Sequence, residues 1–196
     1  MKNFFIILAI AVTVAVFFHH PKANWQGQLA SAEPFQISDN LPPPWQYKDF
    51  IITPRAKYHI KAVVLSKHHY WGLGNENFLS AYDLALGWGP MSDAKVINQL
   101  NIYQFGRWYY YHWSNSPPVD PYIIASDSSN NHIIAGNQDV LEAVQHFKRY
   151  DAIELDGYLV DIISNKENWN WHSSLSRIDT GEGSCEVYWV TSAFSI

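Results

Sequence analysis

Apolar and polar positions alternate with a two-residue period along much of the chain. In Tyr58–Ser66, Ile60, Ala62 and Val64 fall on one face and His59 and Lys61 on the other, which predicts a strand. Ala152–Ile163 repeats the pattern, with Ile153, Leu155, Gly157 and Leu159 alternating with Glu154, Asp156 and Tyr158. A glycine inside such a run suggests a bulge at Gly157. Cys185–Thr191 and the aromatic-rich Ile102–Trp113 predict two more strands. Tyr122–Ala125 and His132–Ala135 predict short ones on either side of an Asp-Ser-Ser-Asn-Asn turn. The clearest helical stripe is Val140, Leu141, Val144 and Phe147, behind a start at Asn137 or Asp139 and running to Arg149. Ser80 with Asp83 resembles a capping box for a short helix ending at Gly87. Ser92 is placed to cap another that carries Val96, Ile97 and Leu100. Ser164–Ser184 reads as a long polar loop. These elements predict an α+β domain: β-rich, antiparallel and barrel-like, with one main helix and an OB-like barrel as one option.

The pattern breaks at the N-terminus. Phe4–Phe18 is apolar apart from Thr13, with Lys2 before it and His19, His20 and Lys22 after. That predicts an N-terminal hydrophobic helix, too short for a comfortable membrane span and long for a signal-peptide core. Residues 1–23 are expected to be a signal anchor, with a cleavable signal as the alternative. Ala30-Ser31-Ala32 has the form of a cleavage site but begins 12 positions after Phe18. Residues 24–44 end in Leu41-Pro42-Pro43-Pro44 and are expected to form a Pro-rich, stiff linker. Residues 45–196 then form one globular domain on the far side of the membrane, of a size that can bury a real core.

Composition narrows the function. Thirteen Lys and Arg against 18 Asp and Glu give a net charge of −5. No nucleic-acid partner is expected, because binding phosphate chains needs a basic surface. Charged and aromatic residues each make up 16% of the chain, which excludes a disordered polyelectrolyte. The single Cys excludes an intramolecular disulfide.

Four groups of residues are candidates for chemistry. Cys185 is a candidate nucleophile if His132 or His172 supplies a base and Asp179 or Glu186 orients the imidazole; otherwise it is a small buried hydrophobe. His68, His69, His112, His132 and His172 lack the paired spacing of a metal site, so no metal and no cofactor are expected. Trp108-Tyr109-Tyr110-Tyr111-His112-Trp113 and Trp169-Asn170-Trp171 concentrate rings that suit stacking on a sugar or a protein partner. Arg107 and Arg177 stand out in apolar or Ser-rich surroundings, and Asp179 or Glu182 is placed to hold Arg177 and stiffen a binding edge. The expected binding surface is therefore Trp169, Trp171, Arg177 and Asp179.

Two resemblances bear on these readings. A membrane anchor, this size and the order His132 to Cys185 resemble the sortases, whose resemblance implies a Cys-His transpeptidase or hydrolase. The run before the Cys departs from theirs, reading Gly183-Ser184-Cys185, and no Arg or Lys follows Cys185 to stabilise an oxyanion. The stretch Trp171–Glu186, with Leu84–Gly89 and Asn131–Ile134, resembles a group of small bacterial exported proteins of unknown function, over most of the domain from Tyr47 onward. That resemblance implies a bacterial inner-membrane protein with its domain facing the periplasm or cell exterior, or secreted if cleaved. The expected activity is that of a membrane-anchored binding or accessory module, held in the membrane through residues 4–18. Its expected partner is an envelope protein or glycan.

Overall fold

The computed structural model describes residues 22–179, 181 and 183–196. The expected anchor at residues 4–18 lies outside them. Among the described residues no helix is long and apolar enough to cross a membrane.

The fold is β-rich α+β, built on one eight-stranded sheet. Its spine is β3 (Phe50–His69), which follows β1 (Phe35–Ile37) and β2 (Trp45–Tyr47). After it come helix α1 (Asn75–Leu79), β4 (Tyr82–Gly87), a 3-10 turn at Gly89–Ser92, and α2 (Ala94–Ile97). The hairpin β5 (Asn101–Phe105) and β6 (Trp108–His112) forms a separate small sheet, followed by α3 (Pro121–Ser126). The chain ends with β7 (Ser128–Ala135), α4 (Gln138–His146), β8 (Ala152–Ser164), β9 (Asn170–Trp171) and β10 (Glu186–Ser195).

β3 is long enough to serve two neighbours. Its first part, Phe50–Val63, pairs with β8, and its last part, Val63–His69, pairs with β4. Irregularities at Pro54/Ala56 and Val64/Ser66 bend it between these tasks; Pro54, which has no N–H to give the ladder, sits at the first. β4 pairs with β7, β7 with β10 and β10 with β8, so the pairing order β3-β4-β7-β10-β8 returns to β3. The β7–β10 pair is parallel, which corrects the all-antiparallel expectation: α4 carries the chain from the end of β7 into β8, and β10 then enters from the far side. Gly157 does mark an irregularity, carried by the partner strand: the register shifts between Val190 and Ser192 of β10, opposite Gly157 and Asp156. An added Cβ on Gly157 would stand 2.0 Å from the Trp189 carbonyl oxygen, so glycine lets two backbones close together.

The main core gathers the alternating residues Tyr58, Ile60, Leu86, Leu155 and Tyr188, and α4 closes it with Val140, Val144 and Phe147. Asn137 caps α4, its Oδ1 accepting from the Val140 N–H at 2.9 Å while its Nδ2 donates to the Thr191 carbonyl. Asn137→Ala is expected to cost about 1 kcal/mol in denaturant unfolding, and Asn137→Asp less, because an acceptor remains.

Four local expectations are corrected. Tyr82–Gly87 is a central strand rather than a helix, and Asp83 is a buried strand residue rather than a cap. Ile102–Trp113 is not one strand: the chain reverses at Gly106-Arg107, both in the left-handed region at φ 59° and 67°, as a tight two-residue hairpin requires. Tyr122–Ala125 is helical, because Asp120 accepts from the Tyr122 N–H and Pro121 takes the first helical position. The supposed turn Ser128–Asn131 is the first half of β7. Residues 24–44 also differ from the expected stiff, extended spacer. Ala23 and Ala30 are buried, Asn98 exchanges hydrogen bonds with the Ala23 backbone, and β1 pairs with β3. The segment is held by the apolar surface of the 88–127 insertion, against which Trp25 packs.

Candidate functional site

The site lies over β4 and β7. Register places Asp83 directly opposite His132 in the antiparallel ladder, so both side chains leave the same face. Asn130, two positions before His132, shares that face. The β5–β6 hairpin folds over it and delivers Arg107 from its tip.

Asp83 is fully buried. Its Oδ1 lies 2.9 Å from Arg107 Nη1 and 2.9 Å from His132 Nδ1. The imidazole contact is off the line of a straight N–H···O bond; we therefore take Arg107 as the principal partner. Arg107 Nη2 also donates to Asn77 Oδ1 at 2.8 Å and to the Ser80 carbonyl at 2.7 Å. Its guanidinium lies 4.1 Å from the Tyr70 ring centroid and 5.5 Å from that of Trp171. The Arg107 N–H donates to the Tyr70 hydroxyl. Burial, with Asp83 nearby, pushes that phenol well above its ordinary value. One cation thus ties the β3–β4 connection, the hairpin and the sheet together by charge-assisted bonds.

Asn130 links this network to Cys185. Its Nδ2 donates to the Arg107 carbonyl at 3.1 Å and lies 3.6 Å from Cys185 Sγ, while its Oδ1 accepts from Gln104 at 2.7 Å. The Cys185 thiol points to the Arg107 carbonyl at 3.9 Å. Burial pushes the thiol up to about 12, against the lowering effect of Asn130 and helped upward by Glu186, Asp83 and Asp179.

Two concavities flank this network and share Trp108 and Cys185 as walls. One, of about 300 Å³, is lined by Arg107, His132, Trp171 and His172. Its Trp171 ring packs 4.8 Å from the His132 ring. The other, of about 230 Å³, lies between the aromatic face of β6 and the loop before β10, with Asn130, Arg177, Asp179 and Glu186 in its lining. Glu186 is 1% exposed. Its Oε1 accepts from Arg177 Nη1 at 2.9 Å, and its Oε2 is buried with no hydrogen-bond partner among the described residues. Burial raises this carboxyl to about 7, against the lowering pull of Arg177 and of the nearby Glu186 N–H and Ser129 hydroxyl, of which only Arg177 meets it in normal hydrogen-bond geometry.

The sequence-predicted residues therefore divide. Cys185, His132 and His172 do meet at one concavity, but the thiol bonds to Asn130 and Arg107, not to an imidazole. His172 Nδ1 lies 3.2 Å from Asp161, which also holds Arg55. Trp171 lines the same concavity. Trp169 lines neither: its Nε1 donates to Glu76 Oε1 at 2.9 Å and its ring packs on Phe50, so it braces the loop against α1. Arg177 is held by Glu186 and Gln36 rather than by Asp179, which instead accepts from Ser174 Oγ at 2.6 Å; Glu182 lies outside the described residues. Asp83 and Asn130 had no assigned site role, and the available signal was a polar residue set inside an otherwise apolar strand; Glu186, expected with Asp179 as an orienter of an imidazole, instead holds Arg177, and the carboxylate beside His132 is Asp83. Among the described residues the one grouping able to offer a metal three ligands is His59, Glu154 and Asp156, away from these concavities. There the His59 nitrogens already face the two carboxylates, at 2.8 Å from Asp156 and 3.7 Å from Glu154.

No family model, curated protein or solved structure matches the chain.

Proposed function

We propose that this chain is a membrane-anchored, extracytoplasmic module that binds an envelope glycan in the adjacent concavities over β4 and β7. We further take the cyclic pairing of β3, β4, β7, β10 and β8 as an OB-like barrel. In that class of barrel the second and third strands form the ligand face, bordered by the loops after the first and fourth strands, and oligosaccharides are among its ligands. Counted along the chain, the second and third of these strands are β4 and β7. The loop after β3 carries Tyr70 and Asn77, and the loop after β8 carries Trp171 and Arg177. The observation that carries the reading is the convergence of both loops and the Arg107 hairpin on two adjacent, aromatic-walled concavities that share Trp108 and Cys185. The net charge of −5 works against a polyanionic ligand. Anchoring rests on the apolar run Phe4–Phe18.

The test is retention of envelope oligosaccharides by the immobilised full chain in detergent. Trp171→Ala is expected to weaken retention about tenfold or more, since aromatic residues at the centre of a binding surface carry most of its energy. Retention of envelope proteins alone, or equal retention by the Trp171 variant, would overturn the glycan reading.

A second reading, a Cys-His enzyme, gains support from Cys185, His132 and His172 lining one concavity beside the Arg107 cation. The thiol's state weighs against it, because a group pushed up to about 12 is scarcely ionised at neutral pH. Slow alkylation of Cys185 by iodoacetamide at pH 7 is the expected result. Fast alkylation that disappears in His132→Ala would favour the enzyme.

A further inference from the structure

We infer that the smaller concavity is a subsite for one neutral sugar residue, with Trp108 as its stacking platform and Glu186 Oε2 as the acceptor for a ring hydroxyl. The assignment rests on the glycan reading above and gives it a chemical class.

Three observations carry it. The first is an open valence. Glu186 lines the cavity, and its Oε2 makes no hydrogen bond of normal geometry among the described residues. A buried carboxylate oxygen left unpaired is costly, and a ligand donor in the cavity would satisfy it.

The second is charge. Arg177 sits on Glu186 Oε1 at 2.9 Å, so the pair presents no full negative charge to the cavity. An ammonium ligand would gain from the aromatic walls but would approach Arg177, and an anion would approach Glu186 and Asp179. A neutral ligand meets neither penalty. The remaining polar lining includes Ser129 and Asn130, which donate as well as accept. Hydroxyl groups, which also do both, match that mixture better than a cation that only donates.

The third is shape. The cavity holds about 230 Å³, below the roughly 300–1,000 Å³ of drug-sized pockets, which suits a single ring. Trp108, at 36% exposed, offers an aromatic plane at the boundary of both concavities. The apolar face of a pyranose stacks on such a ring while its hydroxyls point to the polar wall. The rest of an oligosaccharide would continue past Trp108 toward Trp171.

Saturation-transfer NMR on the full chain in detergent tests this with methyl glycosides of glucose, galactose and N-acetylglucosamine. Glucosamine, glucuronate and tetramethylammonium serve as charged comparisons. At least one neutral glycoside is expected to bind with a Kd on the order of millimolar, given how few atoms so small a ligand brings into contact. The charged compounds should bind at least tenfold more weakly. Trp108→Ala, a change at an exposed hairpin position, should reduce affinity about tenfold. Glu186→Gln should do the same: Arg177 will hold the amide oxygen, so a donor replaces the acceptor at the cavity. The urea midpoint of each variant separates lost binding from lost fold. Tetramethylammonium binding more tightly than every neutral glycoside would overturn the assignment, as would unchanged affinity in both the Trp108 and Glu186 variants. If the chain retains oligosaccharides but none of the monosaccharides, the subsite falls and the glycan reading stands; if it retains neither, both fall.

Discussion

Arg107→Ala is expected to lower the stability of the fold by about 3–5 kcal/mol, because it strips a fully buried carboxylate of its principal counter-charge. The loss should show as a shift in the urea midpoint with little change in slope. Two further variants separate the contributions. Arg107→Lys keeps the charge but cannot bond Asp83, Asn77 and Ser80 at once, so it should recover only part of the loss. Arg107→Gly should be more stable than Arg107→Ala by about 1 kcal/mol, since alanine inherits the left-handed backbone that glycine adopts freely. Asp83→Asn should cost less in the Arg107→Ala background than in the wild type, the non-additivity expected of groups that act together. A loss below about 1 kcal/mol for Arg107→Ala would mean that the ion pair does not hold the hairpin to the sheet.

Glu186 should make stability fall as the pH rises from 4.5 to 7. Its carboxyl titrates at about 7 in the folded chain, against an ordinary value of 4.5. Between those values the unfolded chain has released a proton that the folded chain keeps, so raising the pH favours unfolding across the window and has no further effect above it. The span corresponds to about 3 kcal/mol. Glu186→Gln removes the titration. The stability difference between the wild type and this variant, followed by urea unfolding from pH 4 to 8, should move toward the variant by about that amount. A difference independent of pH would mean that the carboxyl is ionised in the fold like any exposed one.

Both predictions turn on polar residues embedded in apolar strands, and this is where the sequence was hardest to interpret. Strands with one wet face were legible: β8 and the Tyr58–Ala62 stretch of β3 alternate because water meets one side, and α4 shows its stripe for the same reason, whereas Phe50–Lys57, the start of β3, was not read as strand. β4 is buried on both faces, so Leu84-Ala85-Leu86 has no period to separate strand from helix, and Asp83 then passes for a capping acid. Tyr122–Ala125 carries the same ambiguity at helical length. The hairpin turn was hidden because Arg is an uncommon residue at a left-handed position, where Asn or Gly would have marked the reversal. Cys185, His132, His172 and Trp171 were singled out by residue type, and they do converge. The groups that position them were not assigned, because a buried ion pair between Asp83 and Arg107 depends on strand register, which local pattern does not fix.

The packed course of residues 23–37 has a mechanical consequence for a domain anchored by residues 4–18. The leash between Phe18 and the first buried residue, Ala23, is five peptide steps, at most about 18 Å when fully extended. A free spacer from 24 to 44 would let the domain swing and sample a wide shell above the bilayer. If residues 4–18 hold the chain in a membrane as proposed, the hydrogen bonds between Ala23 and Asn98 would moor the domain close to the lipid surface at a defined point on its flank. The height of its cleft would then be bounded by this short leash, so the reach of the protein would be set mainly by the dimensions of the domain itself.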